Sequence, residues 1–221
     1  MDKYAILVAG GKGLRMGLEL PKQFIEVGDR PILMHSIQAF YLADPTIKII
    51  LVLPREQMEY WRALCELHHF KVPLQIVEGG STRFQSVKNG LKLVAPGALV
   101  AIHDGVRPFV TARMIHDAYA CASQYGGAIP VIEVIDSVRM IGPAGDTVPV
   151  DRDSLKLVQT PQTFCSELII KAYNVPYDKR FTDDASVYEA MGETVHCFAG
   201  DRKNIKITTP YDLLIAEALI E

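Results

Sequence analysis

Tyr4-Ala5-Ile6-Leu7-Val8-Ala9-Gly10-Gly11-Lys12-Gly13-Leu14-Arg15-Met16, closed by Pro21-Lys22-Gln23, is the stretch that decides the fold. Its first five residues form a short apolar run of the kind that makes a fully buried strand. A strand that opens into Gly-Gly-x-Gly frees several backbone N–H groups, with no Cβ atoms to block an approaching ligand. Arg15 and Lys22 add two cations within a few residues. Peptide donors beside fixed positive charge suit a polyphosphate. The loop is neither of the two commonest glycine motifs. Counted from Gly11 and Gly13, the third glycine of a dinucleotide fingerprint would fall on Met16. A P-loop would need Ser or Thr at Gly13 and Gly at Ile6. A flexible turn after an edge strand is the competing reading, and the remainder of the chain decides between them.

Outward from this loop, strand and helix patterns alternate. Helices are expected over Pro31–Leu42, Gln57–His68, Thr82–Leu93 and from Thr111 to about Tyr125, with Thr111 as a cap. Between them lie strands at 47–53, 74–77 and 99–102, and another begins at Ala128. Such β-α-β alternation implies an α/β fold: a Rossmann-like, mostly parallel sheet with helices on both faces. The alternation breaks after Glu133. Val138–Ile141 and Thr147–Val150 flank the turn-rich Gly142-Pro143-Ala144-Gly145-Asp146, which reads as a protruding β-hairpin arm. Beyond it we expect helices at 166–174 and 183–191, strands at 194–198 and 205–207, and a last helix opening at Thr209-Pro210. One domain over residues 1–221, with an arm at about 134–157, is the expected organisation.

The bulk properties fit that frame. A chain of 221 residues, 49% hydrophobic and 22% charged, can bury a substantial core. A net charge of −3 argues against a nucleic-acid-binding surface but not against a local basic pocket. Cys65, Cys121, Cys165 and Cys197 form no C-x-x-C and are read as reduced core thiols. Without a signal-peptide pattern or a membrane-length apolar run, the expected setting is a soluble, cytoplasmic one with no membrane partner.

In an open parallel sheet, ligands bind beyond the carboxyl ends of the strands. Four polar or glycine clusters fall at or near expected strand ends: 10–15, 79–86, 103–107 and Asn204-Ile205-Lys206. A carboxylate such as Asp104 after a buried strand can hold Mg²⁺ or a ribose hydroxyl, or simply cap a turn. Lys206, in an alternating Ile-Lys-Ile segment, reads by itself as a surface lysine. Asp183-Asp184 reads as acidic residues favouring a helix start. Nucleophilic Ser or Cys chemistry has no motif here, and neither has a zinc site.

Taken together these clusters are recognisable. The sequence resembles the 2-C-methyl-D-erythritol 4-phosphate cytidylyltransferases from Tyr4 to about Ala218. The resemblance rests on 9–16, Pro21-Lys22-Gln23-Phe24, Gly79-Gly80-Ser81-Thr82-Arg83 with Ser86-Val87, and His103-Asp104-Gly105-Val106-Arg107-Pro108. It continues in Asp151-Arg152, Gln159-Thr160-Pro161-Gln162, Thr182-Asp183-Asp184-Ala185-Ser186 and Asn204-Ile205-Lys206-Ile207-Thr208. It implies transfer of a cytidylyl group from CTP to methylerythritol phosphate, with Mg²⁺ held mainly through the CTP phosphates and Asp104 as a further candidate ligand. Arg15, Lys22 and Lys206 would be catalytic. Ala9, Gly10, Gly11, Gly13, Gly80, Ser81, Ser86, Asp104 and Gly105 would bind the nucleotide. Arg107, Ser137, Arg152 and Thr160 would bind the acceptor, with Ser137 and Arg152 reaching across a homodimer through the arm. Two positions depart from the family pattern, which often has Asp at 81 and Thr at 137. A ribitol-5-phosphate cytidylyltransferase and a non-catalytic CTP-binding module are the alternatives, with a hydride-transfer dehydrogenase behind them.

Overall fold

The computed structural model describes residues 1–11 and 20–220. β1 (Lys3–Val8), β4 (Lys48–Leu53), β5 (Gln75–Glu78) and β6 (Leu99–Asp104) form the parallel centre of an eight-stranded sheet in the order β5-β4-β1-β6. β11 (Gln162–Cys165) runs antiparallel between β6 and β7 (Gly127–Glu133). β7 also pairs antiparallel with β10 (Lys156–Val158) and parallel with β12 (His196–Ala199). Six of the eight strands therefore point one way, as the β-α-β alternation predicts. The register places Val8 opposite both Val52 and Asp104, and Leu53 opposite Glu78. The loops that leave β1, β5 and β6 consequently emerge on one side of the sheet.

Strand parity builds the two faces. Ala5, Leu7, Ile49, Leu51, Leu99 and Ala101 pack under α1 (Ile32–Ala43), α2 (Met58–Leu67) and α4 (Ala112–Tyr125). Ile6, Ile50, Val52, Val100 and Ile102 pack under α3 (Arg83–Leu91) and α5 (Ser166–Ala172), joined by Val187 and Tyr188 of α6 (Asp184–Glu189). A sheet covered on both faces explains why its central strands are almost wholly apolar. Thr82, Thr111, Asp183 and Thr209 cap α3, α4, α6 and α7 (Pro210–Leu219) through side-chain oxygens, and Pro210 occupies the first turn of the last helix.

The arm is a separate two-stranded sheet of β8 (Val138–Ile141) and β9 (Thr147–Val150). No residue from 134 to 157 is buried. A short antiparallel pair at 26–27 and 30–31 (β2 and β3) precedes α1.

The structure corrects several expectations. Residues 205–207 are not a strand: Ile207 N–H reaches the Val106 carbonyl, but no ladder forms. β10 and β11 lie where no strand was expected. The thiols are not all in the core, since Cys197 is exposed and the other three are half-buried. Among the described residues, no helix is long and apolar enough to cross a membrane.

Candidate active site

The three loops leaving β1, β5 and β6 surround a pocket of about 270 Å³. Ala9, Gly10, Gly11, Lys22, Gly80, Ser81, Ser86, Asp104 and Lys206 all line it. Four stretches of chain, up to nearly 200 residues apart in sequence, thus meet at one place. Gly13 and Arg15 lie outside the described residues.

Each wall has a local cause. Gly79 N–H donates to the Leu53 carbonyl (2.8 Å), and Gly80 N–H donates to Ser86 Oγ (3.0 Å). Ser86 Oγ–H in turn donates to the Thr82 carbonyl (2.9 Å), so this hydroxyl shapes the loop that presents Ser81. Gly105 sits behind the floor rather than in the pocket. A Cβ there would lie 2.9 Å from Leu33 Cδ1 and 3.1 Å from the Ala9 Cβ, so a larger residue at 105 would require Leu33 and the end of β1 to shift. Gly10 and Gly11 are different. A Cβ at Gly10 would be 4.0 Å from Pro54 and one at Gly11 3.6 Å from Lys22 Cε, both ordinary contacts. Among the described residues, nothing packs against these two pocket-facing positions closely enough to require glycine.

Lys22 is buried in a single 3₁₀ turn, and its Nζ donates to the Ile207 carbonyl (3.1 Å). That bond ties the first loop to the segment that carries Lys206. Gln23, fully buried beside it, donates through Nε2 to the Ala9 carbonyl (2.8 Å) and to Gln57 Oε1 (2.6 Å). Gln23 lines the pocket, as do Thr82 and Arg83. None of these three stood out in the sequence as a site residue; their only signal was membership of the quoted motifs.

Asp104 is the electrostatic centre. Its Oδ2 is 3.0 Å from Lys206 Nζ and 3.4 Å from Arg107 Nε, while Oδ1 is 3.6 Å from Arg83 Nε. Burial by itself would raise the Asp104 pKa. Arg83, Lys206 and Arg107 outweigh it and hold the carboxyl well below the usual carboxylate range. Arg107 NH1 also donates to the Asn204 carbonyl (2.8 Å), and Asn204 Nδ2 donates to the Thr160 carbonyl (2.8 Å). Lys206 reaches the pocket from this stitched loop, not from a strand.

His103 and Thr160 lie beneath. His103 Nε2 is 3.1 Å from the Arg107 carbonyl, which can only accept, so this nitrogen carries the proton. Nδ1 then accepts from Thr160 Oγ–H (3.0 Å), and the same oxygen accepts Asp104 N–H (3.1 Å). Burial pushes the His103 pKa down to about 4, so the ring is neutral at pH 7. Thr160 is buried with its hydroxyl fully used, and it is not part of the pocket lining. Ser137 and Arg152 are exposed on the arm, away from the lining, and Arg152 NH1 donates to the Ile135 carbonyl (2.6 Å).

Comparison with known proteins bears on the family and the fold. The family model described as IspD, 2-C-methyl-D-erythritol 4-phosphate cytidylyltransferase, matches residues 4–221. The chain belongs to that family. Of curated cytidylyltransferases bearing this name, the one from Bacteroides thetaiotaomicron is 54% identical over the full length of both chains. That from Clostridium perfringens strain SM101 is 39% identical over 98% of each. Among solved structures, 4-diphosphocytidyl-2C-methyl-D-erythritol synthase from Anaerococcus prevotii superposes with a TM-score of 0.84 at 30% identity, covering 98% of this chain and 95% of that one. The Thermus thermophilus cytidylyltransferase gives 0.74 at 29%, covering 97% and 96%.

Proposed function

We propose that the pocket between the ends of β1, β6 and α3 holds CTP, and that an acceptor phosphate attacks it from the side of Arg107 and Lys206. The chain is a nucleotidyltransferase that transfers a cytidylyl group from CTP to 2-C-methyl-D-erythritol 4-phosphate. A phosphate oxygen of the acceptor forms a bond to the α-phosphorus of CTP, the α–β bridging bond breaks, and pyrophosphate leaves with the electron pair. The acceptor monoester is largely dianionic at pH 7, so no protein base is needed. The difficulty is charge: two polyanions must meet, and negative charge builds on the α-phosphate and the leaving group.

The observation that carries the reading is the convergence of Lys22 and Lys206 on one pocket with Gly10 and Gly11. Among the described residues, packing leaves room for a side chain at both glycines, and the sequence has none. Backbone N–H groups unshielded by a Cβ suit triphosphate oxygens. Lys22 sits on the phosphate path, and Lys206 can leave Asp104 for the reacting phosphates. Arg15 takes the role assigned from its motif. Gly80, Ser81 and Ser86 face base and ribose, and Ser81 offers a hydroxyl where relatives often carry a carboxylate.

Mg²⁺ enters this scheme with CTP as part of the substrate. Among the described residues, no group of three His, Cys, Asp or Glu side chains could hold a metal, and Asp104 already faces three cations. This donor set does not fit a protein-held Mg²⁺ site, and no step is derived through one. Ser137 and Arg152 complete the acceptor site in a homodimer, where one copy's arm reaches the other's pocket. Support comes from the exposed apolar residues of the arm, Ile135, Met140, Ile141 and Val148, which a partner would cover.

Offering CTP with methylerythritol phosphate or ribitol 5-phosphate and measuring pyrophosphate release tests the function. Rapid release with the first and little with the second is expected. The reverse preference would overturn the acceptor assignment.

A further inference from the structure

Arg83 faces two ways. Its NH1 and NH2 donate to Asp184 Oδ1 (2.8 Å) and Oδ2 (2.6 Å), a two-pronged pair in which Asp184 is fully buried. Its Nε lies 3.6 Å from Asp104 Oδ1, an ion-pair contact rather than a hydrogen bond. Tyr173 Oη–H donates to Asp184 Oδ1 (2.6 Å), and the Tyr173 ring stacks on Phe84 at 4.6 Å. Asp184 itself cannot drift. It opens α6, whose N-terminus is locked by reciprocal bonds between Asp183 and Ser186. Gln162 of β11 fastens the same turn, donating to Asp183 Oδ2 (2.8 Å) and accepting from Ala185 N–H (2.9 Å).

A carboxylate that only balanced charge would not need this scaffold. A planar guanidinium held at both terminal nitrogens has its third donor direction fixed, a property lysine lacks. Asp104, whose Oδ1 is 3.6 Å from that third nitrogen, is the anion on which Lys206 and Arg107 converge. The charge of Arg83 helps hold the Asp104 carboxyl low; beyond charge, what it contributes is orientation.

We propose that Arg83, clamped by Asp184 and Tyr173, is a positioning residue that fixes the Asp104 carboxylate and through it the resting place of Lys206 in the transfer site. The inference rests on the CTP-site reading above. It adds a second layer, reaching from the pocket through α3 to α6, which none of the pocket contacts supplies.

The test separates orientation from charge and from folding. Wild-type pyrophosphate release is measured first; its absence would count against the functional reading and not against the clamp. Arg83→Lys keeps the charge and loses the fork, and is expected to lose at least tenfold in kcat with the KM for CTP within threefold. Asp184→Asn is expected to show the same split, and Tyr173→Phe a smaller loss of about threefold. A readout independent of turnover is the pH titration of the Asp104 carboxyl carbon in protein labelled with ¹³C at aspartate, assigned with Asp104→Asn. Among the described residues, the charged groups paired with Asp104 are Arg83 from α3, Arg107 from the loop after β6 and Lys206 from the segment after Asn204; His103 beside it is neutral. Arg83→Gln removes one cation, so the Asp104 midpoint should rise. Asp184→Asn releases Arg83 toward Asp104, so the midpoint should not rise. Should Asp184→Asn fail to fold, Tyr173→Phe and Arg83→Lys still decide the matter. Near-normal kcat in Arg83→Lys, or an Asp104 titration unchanged in Arg83→Gln, would overturn the clamp.

Discussion

The pocket floor and the arm are built on opposite principles. Asp104, His103, Thr160 and Asn204 are all buried, and hydrogen bonds tie them to one another and to the surrounding backbone. From 134 to 157 nothing is buried, and the two strands hold only each other. Burial makes hydrogen bonds specific and misplacement costly; exposure leaves a ribbon marginal unless something packs against it. On the reading proposed above, the nucleotide half of the site comes from the chain's own core, and a second copy is required to finish the acceptor half.

The floor should therefore give the largest effects. Replacing Lys22 by Ala removes a buried cation from the phosphate path, and turnover should fall about a hundredfold, roughly 3 kcal/mol of barrier. The melting temperature should move far less, since the lost bond to Ile207 is one among many. Steady-state pyrophosphate release and thermal melts on one preparation check this. Near-normal turnover would break the assignment of the first loop.

Next in size is a stability effect centred on His103. Its folded pKa, about 4, lies below the ordinary 6.5 because the ring is buried. The unfolded chain therefore takes up a proton first as pH falls. The contribution is fully present above pH 6.5 and is lost between 6.5 and 4, amounting to about 3 kcal/mol. Urea midpoints at pH 7 and pH 4.5, wild type against His103→Gln, should show a steeper fall in the wild type. Equal slopes would mean that the ring is not buried neutral, and the rigid-floor half of the comparison would fail.

How far the sequence reveals this depends on the range of the interactions. The parallel centre was legible because strand and helix periods are local, and the glycine loops were legible because they follow strands. β10 and β11 were not, being three and four residues long and broken by Thr160-Pro161. Ile205-Lys206-Ile207 alternates like a strand, yet its neighbours offer it no ladder. Arg83 and Asp184 are 101 residues apart, so their pairing leaves no local trace. Asp184 looked like a helix-start residue, which it also is. Cys197 reads as apolar by type, yet it is exposed on β12, which among the described residues pairs with β7 alone.

A tenfold effect is expected from the arm. Arg152→Ala should lower kcat/KM for the acceptor about tenfold, roughly 1.4 kcal/mol, with the KM for CTP unchanged. Mixing that variant with Lys22→Ala sharpens the comparison. If each site takes its floor from one copy and its arm from the other, a mixed dimer carries one intact site, and an equal mixture should recover about a quarter of wild-type activity. No recovery after subunit exchange would place Arg152 and Lys22 in the same copy's site.

The smallest effect should come from the arm's surface. Ile141 is 74% exposed, so a single chain loses almost nothing when it becomes Ser, within about 0.5 kcal/mol as for other exposed positions. A face covered by a partner would respond differently. Ile141→Ser should then raise the monomer fraction in sedimentation velocity at low micromolar concentration, with an unchanged far-ultraviolet dichroism spectrum. Stability lost by more than 1 kcal/mol with unaltered sedimentation would show that the arm packs on its own chain. The division of labour between floor and arm would then have to be redrawn within one subunit.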